Sequence, residues 1–525
     1  MTREPASNAG RLAADGLPAR IIDVENPATG ESIATVEALS DDRVRELVDQ
    51  ARRAQPGWEA LGFKQRARLM RALRAWLVRE RERLLDCIVA ENGKTREDAL
   101  LGDILYVADS LGFWAKKGPR YLADETPRTH SPFLLGRKVI VRQRPLGVVG
   151  VIAPWNYPLI LGIGDALPAL MAGNAVVIKP SEVAPLAVRM VVDGAQEVGV
   201  PEGVLQVATG RGATGAALVE HADMIQFTGS TVTGRRVAAR CGERLIPCSL
   251  ELGGKDAMIV LADANLDRAA NMAVEFGLRN AGQVCVSVER VYVESPAYDA
   301  FVAKVVEKAK TLRTGPPGPY GSVDIGAITF APQLETIERH VADALDKGAR
   351  TVLGGRRGDG PGRFYEPTIL VHVNHTMACM TEETFGPTLP IMKVRDADEA
   401  VRLANDSSYG LGSSIFTRDI AKAHRLTRRL LAGNTWINDV FLTYLAQEAP
   451  FAGARGSGLG ARHGQQGIRK FCRPHTILVT RFGRKHEPTM LPNSHRRSRV
   501  FERLLVLRWE RGSKSVTRSD RLHGD

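Results

Sequence analysis

The sequence contains few cysteines, and their placement excludes a disulfide framework. Six occur among 525 residues, and no two of them are spaced Cys-x-x-Cys. They are Cys87, Cys241, Cys248, Cys285, Cys379 and Cys472. Disulfide-rich secreted domains carry cysteines at high density, and zinc sites carry cysteine pairs at short spacing. The pattern therefore predicts reduced thiols in a cytoplasmic protein, with no metal site.

Long apolar runs are missing as well. No stretch approaches the ~18–20 consecutive apolar residues that a membrane-spanning helix needs, although 44% of the residues are hydrophobic. The segment Met1–Arg20 is polar and is interrupted by prolines and glycines, so it lacks the apolar core of a signal peptide. We expect residues 1–20 to be a disordered lead-in to a soluble globular protein.

Acidic residues are outnumbered by basic ones, and the formal net charge is +12. Twelve basic and five acidic residues between Arg481 and Asp525 account for more than half of this excess. The rest of the chain is close to neutral for its length, so no nucleic-acid partner is predicted. Within the basic C-terminal extension, residues 482–525, the segment Val500–Trp509 mixes apolar and basic residues. It could make a weak contact with a membrane or a partner, or belong to a disordered extension.

Short apolar runs that end at Gly, Pro or Asn alternate with helical windows from about residue 139 onwards. The predicted strands include Val148–Ala153, Ala175–Ile178, Val204–Ala208, Met224–Phe227, Ala257–Leu261 and Arg290–Val293. Such alternation of strands and helices predicts parallel sheets in a doubly wound α/β fold. Because the chain is too long for one small core, we expect two α/β domains with ligands at the carboxyl ends of the strands.

One stretch carries the residues for nucleophilic catalysis. Glu251 opens the segment Glu-Leu-Gly-Gly-Lys, and Cys285 closes the segment Gly-Gln-Val-Cys. Such catalysis needs a nucleophile, a base within one water molecule of it, and donors for the oxyanion. A thiol and a carboxylate could supply the first two. On spacing alone, a buried structural cysteine remains the alternative interpretation.

Polar residues also follow three predicted strands. In Ala153–Pro158 the amide of Asn156 could donate to an oxyanion. In Lys179–Glu182 a lysine and a glutamate could hold ribose hydroxyls, or form an ordinary surface ion pair. Phe227–Ser230 places a glycine and a hydroxyl before a predicted helix, which suits a phosphate group, although Ser230 could equally be a simple N-cap.

Taken together and in this order, the motifs resemble those of the aldehyde dehydrogenase superfamily over roughly residues 20 to 480. The matching segments are Asn26–Glu31, Pro154–Pro158, Lys179–Glu182, Phe227–Ser230, Glu251–Lys255, Gly282–Cys285, Glu382–Pro387, Ala404–Asp406, Tyr409–Leu411, Gly433–Asn438 and Ser457–Gly460. The resemblance implies a Rossmann-type cofactor domain, an α/β catalytic domain and a small β oligomerisation element. The implied domains are 21–125 with 146–253 for NAD(P), 254–455 for catalysis, and 126–145 with 470–481 for the oligomerising strands.

The resemblance also implies a reaction. Cys285 would add to an aldehyde, the Asn156 side chain and the Cys285 backbone N–H would hold the oxyanion, and hydride would pass to the nicotinamide. Glu251 would then activate the water that releases a carboxylic acid from the thioester. The presence of Glu251 argues against relatives that transfer the acyl group to coenzyme A, since those lack this glutamate.

For the cofactor, the family pattern implies contacts with Lys179, Glu182, Gly229, Ser230, Trp155, Glu383 and Phe385. Lys179 and Glu182 would hold the adenosine ribose, and Ser230 would lie at the pyrophosphate. Glu383 would hold the nicotinamide ribose, with Phe385 beside the ring. A carboxylate at position 182 repels a 2′-phosphate, so NAD is favoured and NADP remains possible.

Two departures from the family bear on substrate and structure. Gly164 and Asp165 stand where relatives carry basic residues, which weakens recognition of a dicarboxylic semialdehyde. Ala461 stands where the family has arginine, with Arg462 one place later, which puts a local contact in doubt. The alternatives are an NADP-dependent succinate-semialdehyde dehydrogenase, a catalytically idle binding protein, and a thiol esterase on the same fold. A homodimer or homotetramer acting on a small-molecule aldehyde is expected.

Overall fold

A computed structural model describes residues 20–483, 485–487 and 489–510. The predicted disordered lead-in therefore lies outside the described residues except for Arg20, and so do the last fifteen residues of the C-terminal extension. The chain divides into two units. The first consists of Met1–Ala123 and Gln143–Pro474, and the second of Asp124–Arg142 and His475–Asp525.

The N-terminal part of the first unit is a hairpin followed by helices. Strands β1 (Ile21–Glu25) and β2 (Ser32–Glu37) pair antiparallel. The helices are α1 (Asp41–Ala60), α2 (Gly62–Arg79), α3 (Arg81–Asn92), α4 (Arg96–Asp98) and α5 (Tyr106–Tyr121), with a π-helical segment at Ala99–Leu105. Ser40 caps α1 by accepting a hydrogen bond from the Arg43 backbone N–H at 3.4 Å, as expected of an N-cap serine.

A first sheet of six strands follows. Its strands are β4 (Val148–Ile152), β5 (Ala175–Lys179), β6 (Leu205–Val207), β7 (Met224–Thr228), β8 (Cys248–Glu251) and β16 (Gly458–Leu459). The helices between them are α6 (Asp165–Ala172), α7 (Leu186–Glu197), α8 (Gly212–His221) and α9 (Thr231–Arg244). The strand order is β16-β8-β7-β4-β5-β6, and only β16 is antiparallel to its neighbour. The order reverses between β4 and β7, which opens a crevice at their carboxyl ends.

A second sheet of seven strands carries the other half of the first unit. Its strands are β9 (Ala257–Val260), β10 (Arg290–Glu294), β11 (Arg350–Leu353), β12 (Thr368–Val371), β13 (Thr388–Val394), β14 (Gly412–Phe416) and β15 (Asn434–Ile437). The order is β11-β12-β13-β10-β9-β14-β15, and only β11 is antiparallel. The helices are α10 (Leu266–Leu278), α11 (Tyr298–Ala309), α12 (Ala331–Asp346), α13 (Ala378–Thr381), α14 (Ala397–Asn405), α15 (Ile420–Thr427) and α16 (Gly464–Arg469). The predicted α/β class is confirmed.

The largest apolar core packs helices against the first sheet. Trp58, Trp76 and Trp114 lie in it, all nearly inaccessible. The central strands β4 and β5 are buried along their whole length, which explains their continuous apolar sequences, because helices cover both faces of a parallel sheet.

Two further strands, β3 (Arg137–Pro145) and β17 (Cys472–Thr480), form a separate two-stranded sheet. Helix α17 (His495–Leu505) continues into a π-helical segment at Val506–Glu510. Among the residues that the structure describes, no helix is both long and apolar enough to span a bilayer. The oligomerising role of the two strands and the domain boundaries stay predictions.

Candidate active site

The loop before Cys285 has an unusual backbone conformation. Asn280, Ala281 and Gly282 follow one another with φ values of 51°, 55° and 71°. Non-glycine residues rarely adopt this left-handed region, and such strain concentrates at functional sites. A Cβ atom at Gly282 would collide with the carbonyl of Gly386. The motif Gly282–Cys285 therefore begins with glycine, because the chain passes too close to Gly386 for any side chain.

Asn156 and Cys285 line the same cavity, whose volume is about 290 Å³. The Asn156 side-chain amide donates to the backbone carbonyl of Gln283 at 2.9 Å, two residues before the thiol. The backbone carbonyl of Asn156 accepts from the ammonium of Lys94 at 2.6 Å, and Lys94 also pairs with Asp103 at 3.0 Å. Both members of this pair are fully buried. The Asn156 amide, which is predicted to hold an oxyanion, is thus fixed beside the loop that carries Cys285.

The thiol of Cys285 is protonated at neutral pH in this state. Part of its surface reaches the cavity, but the surrounding protein excludes most water. Burial, with a smaller contribution from the carboxyl groups of Asp256 and Glu383, raises the pKa of Cys285 to about 12. Desolvation and nearby negative charge both disfavour a thiolate. A nucleophilic thiolate therefore needs a change at the site, such as a bound ligand that alters the local field.

Glu251 ends β8 and does not line the cavity that holds Cys285. Its Oε2 pairs with Nη1 of Arg462, and neither atom makes another hydrogen bond among the described residues. The other two guanidinium nitrogens of Arg462 donate to Asp165. Nε donates to Oδ1 and Nη2 donates to Oδ2, both at 2.7 Å. Arg462 also donates to the hydroxyl of Thr228. All these side chains are almost completely buried.

This cluster explains both departures noted in the sequence. Asp165 and Arg462, two of the residues noted as departures from the family pattern, form one bidentate ion pair. Sequence reasoning treated the two positions separately because they lie 297 residues apart.

The predicted nicotinamide-ribose residues lie on a loop that is held by buried charges. Glu383 accepts from the Gly254 backbone N–H at 2.8 Å, and burial raises its pKa to about 8. Glu289 accepts from the backbone N–H groups of Thr384 and Phe385, and it pairs with Lys255 at 2.6 Å. The sequence analysis did not identify Glu289. The one feature that could have marked it is its position directly before β10.

Phe385 stacks edge-on against Trp155, with ring centroids 5.5 Å apart. Its φ of 50° places it in the region that bulky residues avoid. The structure thus brings two predicted cofactor residues together, although they lie 230 residues apart in the chain. The strained backbone is stabilised by the hydrogen bond from the Phe385 backbone N–H to Glu289 at 2.8 Å.

A crevice of about 680 Å³ lies at the carboxyl ends of β4, β5 and β7. Trp155, Lys179, Glu182 and Gly229 line it, and Lys179 pairs with Glu182 at 3.2 Å. The volume falls within the ~300–1,000 Å³ of ligand sites, and the place is the one where doubly wound sheets bind nucleotides. The residues present fit a dinucleotide.

Ser230 is exposed and does not line this crevice. Its hydroxyl caps α9 by accepting from the Thr233 backbone N–H at 3.3 Å, which is the simpler of the two interpretations. No cluster of three or more metal-ligating His, Cys, Asp or Glu side chains occurs within residues 20–510 where they are described.

The sequence matches the Aldehyde dehydrogenase family over residues 14–477. The chain belongs to this family. It is 39% identical over 475 residues to a 4,4'-diapolycopene aldehyde oxidase of Methylomonas, covering 89% of this chain and 88% of that protein. It is 38% identical over 461 residues to a provisionally named NADP-dependent succinate-semialdehyde dehydrogenase of Mycolicibacterium smegmatis, covering 87% and 88%.

Solved structures agree with this aldehyde dehydrogenase fold. Lactaldehyde dehydrogenase from Escherichia coli superposes with a TM-score of 0.84 at 36% identity, over 88% of this chain and 96% of that one. An aldehyde dehydrogenase of Mycobacterium tuberculosis complexed with NAD+ has a TM-score of 0.83 at 34% identity, over 88% and 95%. The predicted family and fold are confirmed.

The protonation state of Cys285 can be tested on the ligand-free protein. Because the pKa of Cys285 is raised to about 12, the rate of its alkylation by iodoacetamide should rise about tenfold per pH unit between pH 7 and 9. Cys248, whose pKa is lowered to about 7 by a hydrogen bond with Cys241, should instead approach its maximal rate near pH 8. Peptide mass spectrometry measures each site separately.

The control is Cys285→Ser, which should remove only the Cys285-labelled peptide. An alkylation rate at Cys285 that is already independent of pH at pH 7 would mean that the free protein holds a thiolate.

Proposed function

We propose that Cys285 of this chain oxidises aldehydes to carboxylic acids with NAD(P)+ as the hydride acceptor. The observation that carries the proposal is the shared cavity of Cys285 and Asn156, next to the crevice lined by Trp155, Lys179 and Glu182. A nucleophile, an amide donor and a nucleotide-sized crevice are the parts that the reaction needs.

The first half of the reaction belongs to Cys285. The thiol loses its proton to water, and the sulfur adds to the aldehyde carbon to form a tetrahedral thiohemiacetal. The Asn156 amide and the Cys285 backbone N–H stabilise its negative oxygen. To donate to that oxygen, Asn156 exchanges its hydrogen bond to Gln283. The nicotinamide, when bound, accepts the hydride that leaves the same carbon. A thioester on Cys285 remains.

The second half belongs to Glu251. Its carboxylate takes a proton from water, which attacks the thioester and releases the acid. The ion pair with Arg462 occupies Oε2, whereas Oε1 makes no hydrogen bond to the described residues and is the oxygen left to accept that proton. The thiol leaves as Cys285 is regenerated.

Other side chains hold the cofactor. Lys179 and Glu182 suit the adenosine ribose, since they already pair at the crevice wall. Gly229 has no side chain and leaves space for the pyrophosphate, next to Ser230, the N-cap of α9. Glu383, with Phe385 beside Trp155, suits the nicotinamide end.

The names of the relatives point to more than one substrate, and succinate semialdehyde is the second candidate because of the similarity to the M. smegmatis protein. A thiol esterase and an idle binding protein are the candidates from other classes. The first would hydrolyse esters without nicotinamide, and the second would bind cofactor without turnover.

The proposal predicts distinct failures for two variants in an assay of reduced nicotinamide with a panel of aldehydes. Cys285→Ala should abolish turnover. Glu251→Gln should keep a rapid burst of reduced cofactor but lower the steady-state rate by about 10²–10⁴-fold, because only hydrolysis loses its base. Glu335→Gln, an exposed change on α12, is the matched control. Cofactor reduction that survives in Cys285→Ala would disprove the role of this thiol.

Cofactor choice gives a separate prediction. A carboxylate within about 4 Å of a phosphate is repelled by about 1–4 kcal/mol, depending on the effective dielectric constant. Glu182→Ser should therefore raise the ratio of kcat/KM for NADP to that for NAD by about tenfold, with Glu335→Ser as control. An unchanged ratio would place the 2′ position of the ribose away from Glu182.

We also infer a cytoplasmic homodimer or homotetramer, associated through the sheet of β3 and β17. Light scattering should give two or four times the chain mass of 57.1 kDa. Leu478→Pro removes a backbone donor from β17 and should lower that mass, whereas Leu478→Ala should not. A monomeric mass for the unaltered chain would contradict the inference. Contact of the basic extension with a membrane or partner stays a prediction.

A further inference from the structure

We propose that the substrates of this chain are apolar aldehydes, and that aldehydes which also carry a carboxylate are poor ones. The inference rests on the proposed function and names its substrate class. It comes from the walls of the cavity that leads to Cys285.

The walls are built mainly from apolar side chains. They come from the π-helical segment before α5, the segment after Asn156, the end of α10 and the loop after β15. The apolar and aromatic lining residues are Leu101, Leu105, Tyr106, Tyr157, Ile160, Leu161, Phe276, Val284, Val286, Phe441, Leu442, Tyr444 and Leu445. A cavity of this kind binds by removing hydrocarbon surface from water.

Four of these leucines remain half exposed. Leu101, Leu105, Leu442 and Leu445 have exposed fractions of 49%, 57%, 48% and 48%. Single exposed leucines are ordinary, but four around one cavity form an apolar patch, which marks a binding surface. An apolar chain that extends from the cavity would cover them.

The charged groups of the cavity are already paired with one another. Among the lining residues that the structure describes, Arg279 is the only cation. Its Nη1 donates to Asp98 at 2.8 Å, its Nε donates to Glu275 at 2.6 Å, and its Nη2 also donates to Glu275. Each of the three guanidinium nitrogens therefore already donates to one of two carboxyl groups.

A substrate carboxylate would have to compete with these partners. It would enter beside Asp98 and Glu275, whose charge repels it, and would lose its own hydration in an apolar cavity. The segment that follows Asn156 offers no other cation, because Gly164 has no side chain and Asp165 is an acid.

The test on the unaltered chain is a series of unbranched aldehydes from propanal to decanal, with succinate semialdehyde compared directly with butanal. Values of kcat/KM should rise about two- to four-fold per methylene until the chain leaves the cavity. Butanal should exceed succinate semialdehyde by at least about tenfold. A flat series, or a preference for succinate semialdehyde, would overturn the inference.

Two variants test the walls themselves. Leu445→Lys should lower kcat/KM for decanal by about tenfold, whereas Leu345→Lys, a similarly exposed position on α12, should not. Glu275→Gln should remove one negative charge beside Arg279 and raise the ratio of kcat/KM for succinate semialdehyde to that for butanal by about tenfold. An effect of Leu345→Lys equal to that of Leu445→Lys, or an unchanged ratio in Glu275→Gln, would count against the inference.

The failure of this inference differs from that of the proposed function. If no aldehyde in any series reduces NAD or NADP, the function itself is wrong. If aldehydes are oxidised with succinate semialdehyde preferred, the function stands and the substrate class is wrong.

Discussion

A single buried guanidinium, that of Arg462, connects the segments around the candidate base. It contacts Glu251 at the end of β8, Thr228 at the end of β7 and Asp165 at the start of α6. Charges removed from water need partners, and the loss of one member of a buried pair costs about 3–5 kcal/mol because the other is left uncompensated. The position of Glu251 therefore depends on a residue more than two hundred positions later in the chain.

The same physical demand recurs on the other side of the site. Lys94 with Asp103 supports the loop of Asn156, and Lys255 with Glu289 supports the loop of Phe385. Both loops border strained backbone, at Asn280–Gly282 and at Phe385 itself. Strained conformations persist only where the surrounding structure determines them. Here, buried ion pairs with hydrogen bonds to backbone groups hold both loops. Asn156 and Phe385 are therefore positioned before any ligand binds.

The apolar walls of the cavity and the protonated thiol have a common cause. Excluding water favours hydrocarbon surface and disfavours ionised groups, so the environment that suits an apolar aldehyde also raises the pKa of Cys285. The raised pKa disfavours the thiolate form of Cys285 at neutral pH. The negative charges of Asp98 and Glu275 lie beside Arg279 and weaken its attraction for other anions.

The sequence alone determined the α/β class, the family, and a few of the polar residues that border the cavity and the crevice, among them Asn156, Cys285 and Lys179. It could do so because parallel strands bring their carboxyl ends together at one edge of the sheet. The short motifs that contain Asn156, Lys179 and Gly229 each lie at the end of a strand, so their residues are expected to lie near one another. Only the tertiary structure decided that Asp165 pairs with Arg462, that Arg279 is neutralised, and that Glu251 faces a guanidinium. Apart from the i,i+4 pair of Glu275 with Arg279, these contacts join positions with no periodic relation in the chain. The desolvation that makes buried charges need partners exists only once the chain is folded.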